Sequence, residues 1–313
     1  MFMNIIAYQQ SCGSNREFAE AAGTAGLHLA RIFLPRRRRA RVATLSLLAL
    51  ALCDLTTSAQ VQTNREGAGA QSPAAVAPTA PLPDYTLAWG DEFNGDSLDQ
   101  NKWGFRTDSK HLSTQKPENV SVKNGKMCLT LKKETAGGKQ YTGGGVVSKA
   151  TFKYGYYEAR LKVTPVAGWH TAFWLMKHDG SGSTDSHEAA QGLDVFENNS
   201  INPLAYMVCV RKYNPDPPEV FGFSTLTAPD LSADFHVVGC EFTPQAVKFF
   251  LDGEVVGNVD ATRFPHGEQN VWVSSIASHM GGATAVEDAR LPAVVECDYV
   301  RFFRKSGASG TPP

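Results

Sequence analysis

The 313-residue sequence contains no apolar run long enough to cross a bilayer as a helix. The longest candidate, Val42 to Cys53, has about a dozen residues, whereas a membrane-spanning helix needs about 20. The formal net charge is only −1, which argues against a dedicated binder of polyanions. We therefore expect neither a membrane span nor a nucleic-acid partner.

Cysteine is also scarce, and its spacing argues against a structural zinc site. The sequence has six cysteines and no C-x-x-C element. Four of them, Cys128, Cys209, Cys240 and Cys297, lie beyond the N-terminal region. In an oxidising compartment four cysteines permit three disulfide pairings. Buried thiols on strands, without any disulfide, are the alternative.

The N-terminal region has the three parts of a secretory signal peptide. A basic run, Arg36 to Arg41, precedes the apolar segment, and Thr57-Ser58-Ala59 follows it. Residues 1–59 are therefore interpreted as an N-terminal extension and signal peptide, cleaved near Ala59. The long stretch before the basic run leaves open a true start downstream of Met1. Export to the periplasm or the medium is expected.

Composition divides the remaining chain into three parts. Residues 60–83 are rich in Ala and Pro and have almost no large apolar side chains, so they predict a disordered linker. Residues 84–305 form the predicted folded domain, and residues 306–313 a disordered tail. No internal repeat of solenoid length is present.

The predicted domain has no sustained helical periodicity. Instead, short runs rich in Val, Tyr, Phe and Thr alternate with a period of two, which is typical of strands. Clear examples are Lys126 to Lys132, Gly155 to Val163, His236 to Phe242, Val247 to Leu251 and Val294 to Phe303. Asp252-Gly253 predicts a hairpin turn, and the run Gly143-Gly144-Gly145 is interpreted as another turn. The pattern predicts an all-β sandwich or jelly roll.

One predicted strand carries the candidate chemistry: Gly192-Leu193-Asp194-Val195-Phe196-Glu197. Residues two apart on a strand share a face, so Glu197 would point away from Asp194 in a regular strand. A one-residue bulge between them would turn Gly192, Asp194 and Glu197 toward one face.

This strand resembles the E-x-D-x-x-E signature of glycoside hydrolase family 16, apart from its first letter. Flanking segments also resemble strands of that family: Trp89 to Gly95, Gly155 to Arg160 followed by Ala172 to Met176, Phe235 to Pro244 and Cys297 to Arg301. The resemblance implies a jelly roll of two antiparallel sheets with a concave glycan-binding face. It also implies a monomeric, retaining hydrolase of β-linked polysaccharides that uses no cofactor for catalysis.

Carried over by position, Glu197 is the general acid/base and Asp194 the middle aspartate. Gly192 stands at the nucleophile position, where it is expected to leave a space and to impair the enzyme. Three explanations stay open: a substitution in an active lineage, a natural pseudoenzyme, or a different route through Glu197 and water. A non-catalytic carbohydrate-binding protein is the main functional alternative, and a purely structural sandwich is the other.

Glycan grooves combine aromatic platforms with a few polar groups. Trp169, Trp174 and Trp272 are the candidate platforms, and Arg211 is the candidate partner for sugar hydroxyls or an anionic substituent. His170, His178 and His187 are interpreted as exposed loop polarity, with a place at the rim of the groove as the alternative.

The resemblance further implies a structural calcium ion away from the reaction centre, with Glu92 and Asp298 as candidate ligands. The substrate is expected to be a β-glucan or a β-galactan. The stretch Gln115 to Val120 favours the galactan-type members.

Overall fold

The computed structural model describes residues 80–177, 191–213 and 218–307. Within these ranges the chain forms seventeen strands and three short 3-10 helices. The strands are β1 Tyr85–Asp91, β2 Trp103–Phe105, β3 Ser109–Lys110, β4 Ser113–Gln115, β5 Val120–Lys123, β6 Lys126–Leu131, β7 Tyr141–Ser148, β8 Gly155–Lys162, β9 Trp169–Met176, β10 Gln191–Asn199, β11 Ala205–Lys212, β12 Glu219–Thr227, β13 His236–Phe242, β14 Ala246–Leu251, β15 Glu254–Asp260, β16 Asn270–Ala277 and β17 Ala293–Lys305. The helices are Pro117–Asn119, Met280–Gly282 and Asp288–Arg290.

The strands form two sheets. Sheet I has the order β15-β14-β13-β8-β17-β6-β5, with β1 beside β17. Sheet II has the order β12-β11-β10-β9-β16-β7-β4-β3, with β2 beside β7. The pairs are antiparallel except for β4 with β7. The prediction of an all-β jelly-roll sandwich is confirmed, and β10 lies within sheet II between β9 and β11.

The strands expected from the sequence lie where the alternation placed them, in β6, β8, β13, β14 and β17. The turn at Asp252 and Gly253 joins β14 to β15 with φ angles of 50° and 89°. Both angles lie in the left-handed region that Asp and Gly tolerate best.

The interpretation of the glycine run as a turn is wrong. Gly143, Gly144 and Gly145 lie inside β7 and form no turn. A Cβ atom on Gly143 would lie only 2.8 Å from Oε1 of Gln115, and closer still to the Ser275 carbonyl oxygen. Glycine is therefore required because neighbouring groups approach this strand closely.

The two sheets enclose one large apolar core and leave a smaller apolar cluster on the other face of sheet II. Strand β9 divides its side chains between them, since Phe173 and Leu175 pack in the core while Ala172, Trp174 and Met176 form the smaller cluster with others. This division follows from the period of two along a strand. The outward-facing set is the start of the candidate site.

The four cysteines of the domain are all buried, and none forms a disulfide bond. The thiol alternative is therefore the correct one. Burial raises the pKa of the Cys240 and Cys297 thiols well above the usual value, so both thiols are neutral and unreactive.

In the described part of the chain, no helix combines the length and the apolar character needed to cross a membrane. The predicted signal peptide and its cleavage near Ala59 lie outside the described residues.

Candidate active site

Strand β10 contains the bulge that the sequence predicts. Asp194 pairs with Trp174 of β9 and Cys209 of β11, and the register shifts on both sides before Glu197. Because of this extra residue, Asp194 and Glu197 point to the same face. Contact with one shared side chain confirms it, since Nη2 of Arg211 contacts Asp194 and lies 3.7 Å from Oε1 of Glu197.

The outer face of sheet II around these carboxylates is called the site face below. It carries two stacked indoles, Trp174 and Trp272, whose ring centroids are 5.0 Å apart at 26°. Trp272 is completely buried and donates its indole N–H to the Met176 carbonyl oxygen at 2.9 Å. Trp174 retains 7% exposure. Both predicted tryptophans thus lie on the site face, with Trp174 the more accessible of the two.

Trp169 does not join them. Its side chain packs in the main core, where its ring meets Tyr141 at 82° with centroids 6.3 Å apart. Trp169 and Trp174 are five residues apart on β9, and an odd separation places them on opposite faces of a regular strand. The prediction that Trp169 is a sugar platform is therefore corrected.

Arg211 lies on the site face but is 4% exposed and already engaged. Its guanidinium group forms an ion pair with Asp194 and approaches Glu197. The expectation of an arginine facing sugar hydroxyls is therefore wrong, because Arg211 is a buried partner of Asp194 and lies close to Glu197. Charged groups are costly to bury without a partner.

The interpretation of His170 as exposed loop polarity is wrong, and His178 and His187 lie outside the described residues. His170 lies on β9, is 6% exposed, and places Nε2 3.4 Å from Oε1 of Glu197. Its Nδ1 lies 2.9 Å from Oδ1 of Asn199. Its even spacing from Trp174 was the available signal, because both positions share a face of the same strand.

The electrostatics of this cluster raise the pKa of the middle aspartate. Burial raises the pKa of the Asp194 carboxyl to about 7, and the nearby Glu197 carboxylate contributes to the rise, although the Arg211 guanidinium opposes it. Asp194 can therefore exchange a proton near neutral pH, which an ordinary aspartate cannot do.

A second histidine near this cluster predicts a pH effect on stability. Burial lowers the pKa of His111 to about 4, with further contributions from His170, Lys110, Arg106 and Lys139. The unfolded chain binds this proton near pH 6.5 and the folded chain only near pH 4, so stability falls as the pH drops through this window.

Between pH 6.5 and pH 4 we therefore expect the melting temperature of His111→Asn to fall by about 2–4 °C less than that of the wild type. Asparagine tolerates the φ of 51° at this position. Differential scanning calorimetry of both proteins across this range is the measurement. Parallel pH profiles would contradict the assignment.

Tyr213 occupies the space beside Gly192. A Cβ atom on Gly192 would lie 2.5 Å from Cε2 of Tyr213 and 3.0 Å from both Cζ and the phenolic oxygen. The Arg211 guanidinium carbon lies 5.2 Å from the centre of the same ring. The expectation that glycine leaves an empty space at this position is therefore wrong.

This contact predicts a non-additive effect on stability. Gly192→Ala is expected to lower the free energy of unfolding by about 1–3 kcal/mol, because its methyl group displaces the Tyr213 ring. In a Tyr213→Ala background the same change should cost much less. Urea denaturation of the four proteins measures the difference, and equal costs in both backgrounds would disprove the contact.

Of the candidate calcium ligands, Asp298 lies on β17 of sheet I and Glu92 directly follows β1, and each is bound by an arginine. Glu92 accepts two hydrogen bonds from Arg301, both 2.8 Å long. Asp298 accepts one from Arg160 at 2.7 Å. Among the described residues no group of three or more His, Cys, Asp or Glu side chains is arranged to hold a metal. This arrangement does not fit a calcium ion.

A two-sheet β-sandwich with a bulged acidic strand beside aromatic side chains agrees with the glycoside hydrolase class. The comparisons with known proteins give the family. The family model described as the GH16 domain of β-porphyranases A–D matches residues 86–271, which is more than half of the chain. The chain belongs to glycoside hydrolase family 16.

Individual relatives support the same family assignment. The chain is 30% identical over 267 residues to the kappa-carrageenase of Pseudoalteromonas carrageenovora, covering 71% of this chain and 65% of the relative. It is 25% identical over 250 residues to a β-glucanase of Rhodothermus marinus, covering 71% of this chain and 86% of the relative. The chain thus spans just under two thirds of the carrageenase's length.

A solved structure supports the same assignment. The crystal structure of SCLam, a non-specific endo-β-1,3(4)-glucanase from family GH16, superposes with a TM-score of 0.62 and 26% sequence identity. The match covers 73% of this chain and 94% of SCLam. These three relatives are named as enzymes that act on polysaccharides, so a polysaccharide is the class of substrate that the family implies.

Proposed function

We propose that this chain binds a β-linked galactan of the porphyran type across the site face and hydrolyses it at internal linkages. The observation that carries the proposal is the bulge in β10, which brings Asp194 and Glu197 onto one face beside Trp174. The carboxyl pair supplies acid/base chemistry, and the indole supplies an apolar surface for a sugar ring.

In this proposal Glu197 protonates the leaving glycosidic oxygen and later removes a proton from water. His170, 3.4 Å away, orients the Glu197 carboxyl. Arg211 holds Asp194 in place and balances its charge. Because Gly192 has no side chain, the ordinary route with a second carboxylate as nucleophile is not available to this chain.

A galactan is favoured over a glucan by the comparisons. The matching family model carries the porphyranase description. Two relatives are named for galactose-containing glycans: the kappa-carrageenase, and a keratan-sulfate endo-1,4-β-galactosidase of Sphingobacterium multivorum that is 24% identical over 246 residues. Because other relatives are glucanases, the glucans laminarin and lichenan are included among the substrates to be tested.

The second candidate function is a carbohydrate-binding protein without turnover. The glycine at position 192 favours it, because the residue that normally attacks the sugar is absent. Calorimetric titration and reducing-end assays separate the two functions when both are run on porphyran, agarose, carrageenan, laminarin and lichenan. Hydrolase function requires internal cleavage, visible as a broad range of oligosaccharide sizes early in the digest.

A matched pair of variants tests the location of the binding surface. Trp174→Ala should weaken binding of the preferred glycan at least about tenfold, which corresponds to about 1.4 kcal/mol. Val255→Ala, on exposed β15 of sheet I, is the control and should leave binding unchanged. Equal affinity in both variants would place the glycan elsewhere.

We also propose that the chain is exported as a monomer and acts outside the cytoplasm. The basic run, short apolar segment and Thr57-Ser58-Ala59 support export. N-terminal sequencing of the secreted protein should give a first residue close to Gln60. Mature protein that begins at Met1 would contradict this assignment.

A further inference from the structure

We propose that the phenolic oxygen of Tyr213 is the nucleophile of this protein and replaces the side chain that Gly192 lacks. The inference rests on the proposed hydrolase function. It concerns the nucleophile, which the ordinary mechanism requires and which Gly192 cannot provide.

The first support is the position of the phenol. Its oxygen lies 3.0 Å from the point where a Cβ atom of residue 192 would be. A glutamate carries its carboxylate oxygens three bonds beyond Cβ. The Tyr213 oxygen therefore lies within the volume that a glutamate carboxylate at position 192 would reach.

The second support is the route by which Tyr213 reaches this volume. Lys212, the last residue of β11, pairs with Gln191 at the start of β10. Tyr213 follows directly, so the chain delivers the ring beside Gly192. The ring packs against the apolar cluster that contains Trp174 and Met176. It therefore belongs to the same face as the two carboxyl groups.

The third support is the surrounding charge. A phenol attacks carbon only as it loses its proton, and a nearby cation favours the phenolate. The Arg211 guanidinium carbon lies 5.2 Å from the centre of the Tyr213 ring. Asp194 shares the face with position 192 and is the carboxyl group available to accept the phenolic proton. Its raised pKa, about 7, suits a group that takes up a proton near neutral pH.

The reaction balances in two steps. In the first, the Tyr213 oxygen bonds to the anomeric carbon, the bond to the leaving sugar oxygen breaks, Glu197 donates its proton to that oxygen, and Asp194 takes the phenolic proton. In the second, Glu197 removes a proton from water, the water oxygen bonds to the anomeric carbon, and the phenolate leaves and regains its proton from Asp194. Some retaining glycosidases already use tyrosine in this way.

The test compares wild type, Tyr213→Phe and Tyr206→Phe on porphyran. Tyr206 is the matched control, because it lies on β11, the strand that Tyr213 directly follows, and its buried hydroxyl makes no hydrogen bond within the described residues. Reducing-end release should fall at least about 100-fold in Tyr213→Phe, equivalent to about 2.7 kcal/mol. The porphyran dissociation constant should change little in either variant.

A trapping experiment identifies the attacking atom. 2,4-Dinitrophenyl 2-deoxy-2-fluoro-β-D-galactoside at high concentration should form a covalent adduct with wild type and Tyr206→Phe, located on Tyr213 by peptide mapping. Tyr213→Ala supplied with azide should instead release an α-galactosyl azide, because the small anion enters from the vacated side.

The outcomes separate the two proposals. An adduct on another residue, or porphyran hydrolysis that survives in Tyr213→Phe, overturns the tyrosine nucleophile. Porphyran binding without any hydrolysis by the wild type also overturns it, and establishes the binding protein instead. A wild type that binds none of the five glycans overturns the proposed function itself.

Discussion

Gly192→Glu combined with Tyr213→Ala is expected to hydrolyse porphyran at least about 100-fold faster than the wild-type protein, a gain of about 2.7 kcal/mol in transition-state stabilisation. The glutamate supplies the carboxylate nucleophile of an ordinary retaining glycosidase. Removing the tyrosine ring supplies the room for it, since a Cβ atom at position 192 would otherwise lie 2.5 Å from Cε2 of Tyr213.

The single variants are the controls for this prediction. Gly192→Glu alone should show a smaller increase in activity, because its side chain and the Tyr213 ring would occupy the same space. Tyr213→Ala alone should be nearly inactive, because it has neither nucleophile. Initial rates of reducing-end release, with porphyran binding measured in parallel, give the comparison. A double variant that folds and binds porphyran but does not cleave it would refute the hydrolase account.

Glu197→Gln should reduce hydrolysis by about 10²–10⁴-fold, in both the wild type and the Gly192→Glu/Tyr213→Ala protein. Glutamine keeps the shape of the side chain but can neither donate a carboxyl proton to the leaving oxygen nor accept one from water. The loss should appear in kcat, because porphyran binding depends on Trp174 and the surrounding face.

An activated substrate sharpens this test. A 2,4-dinitrophenyl glycoside has a leaving group that needs no protonation, so its first step should be much less sensitive to Glu197→Gln than porphyran is. Asn199→Asp, which alters the His170 partner without removing an acid, is the comparison variant. Equal loss in the rate of the first step on both substrates would contradict the role of Glu197 as general acid.

Much of the fold follows from local sequence chemistry. Period-two alternation locates β6, β8, β13, β14 and β17, because apolar side chains on alternate positions must be buried. The three-residue offset between Asp194 and Glu197 predicts the bulge, because no regular strand can turn both toward one face. These features depend on neighbours in the chain and so are visible in the sequence.

The features that the sequence does not reveal depend on approach between distant segments. Position 143 requires glycine because Ser275 and Gln115 approach it closely, and neither is near it in sequence. Tyr213 fills the space beside Gly192 because β10 and β11 pair in one particular register. Trp169 and His170 are a different case, since strand parity alone would have assigned both correctly once the bounds of β9 were known.

The configuration of the product formed in aqueous methanol tests the account most directly. A glycosyl group held on the protein, whether on Tyr213 or on a restored glutamate, is transferred to methanol with net retention. Proton NMR of a porphyran digest should therefore show a methyl β-glycoside, which does not mutarotate, with the wild type and more rapidly with Gly192→Glu/Tyr213→Ala. Release of α-configured reducing ends with no methyl β-glycoside would mean direct attack by water, and would contradict a nucleophile at this position.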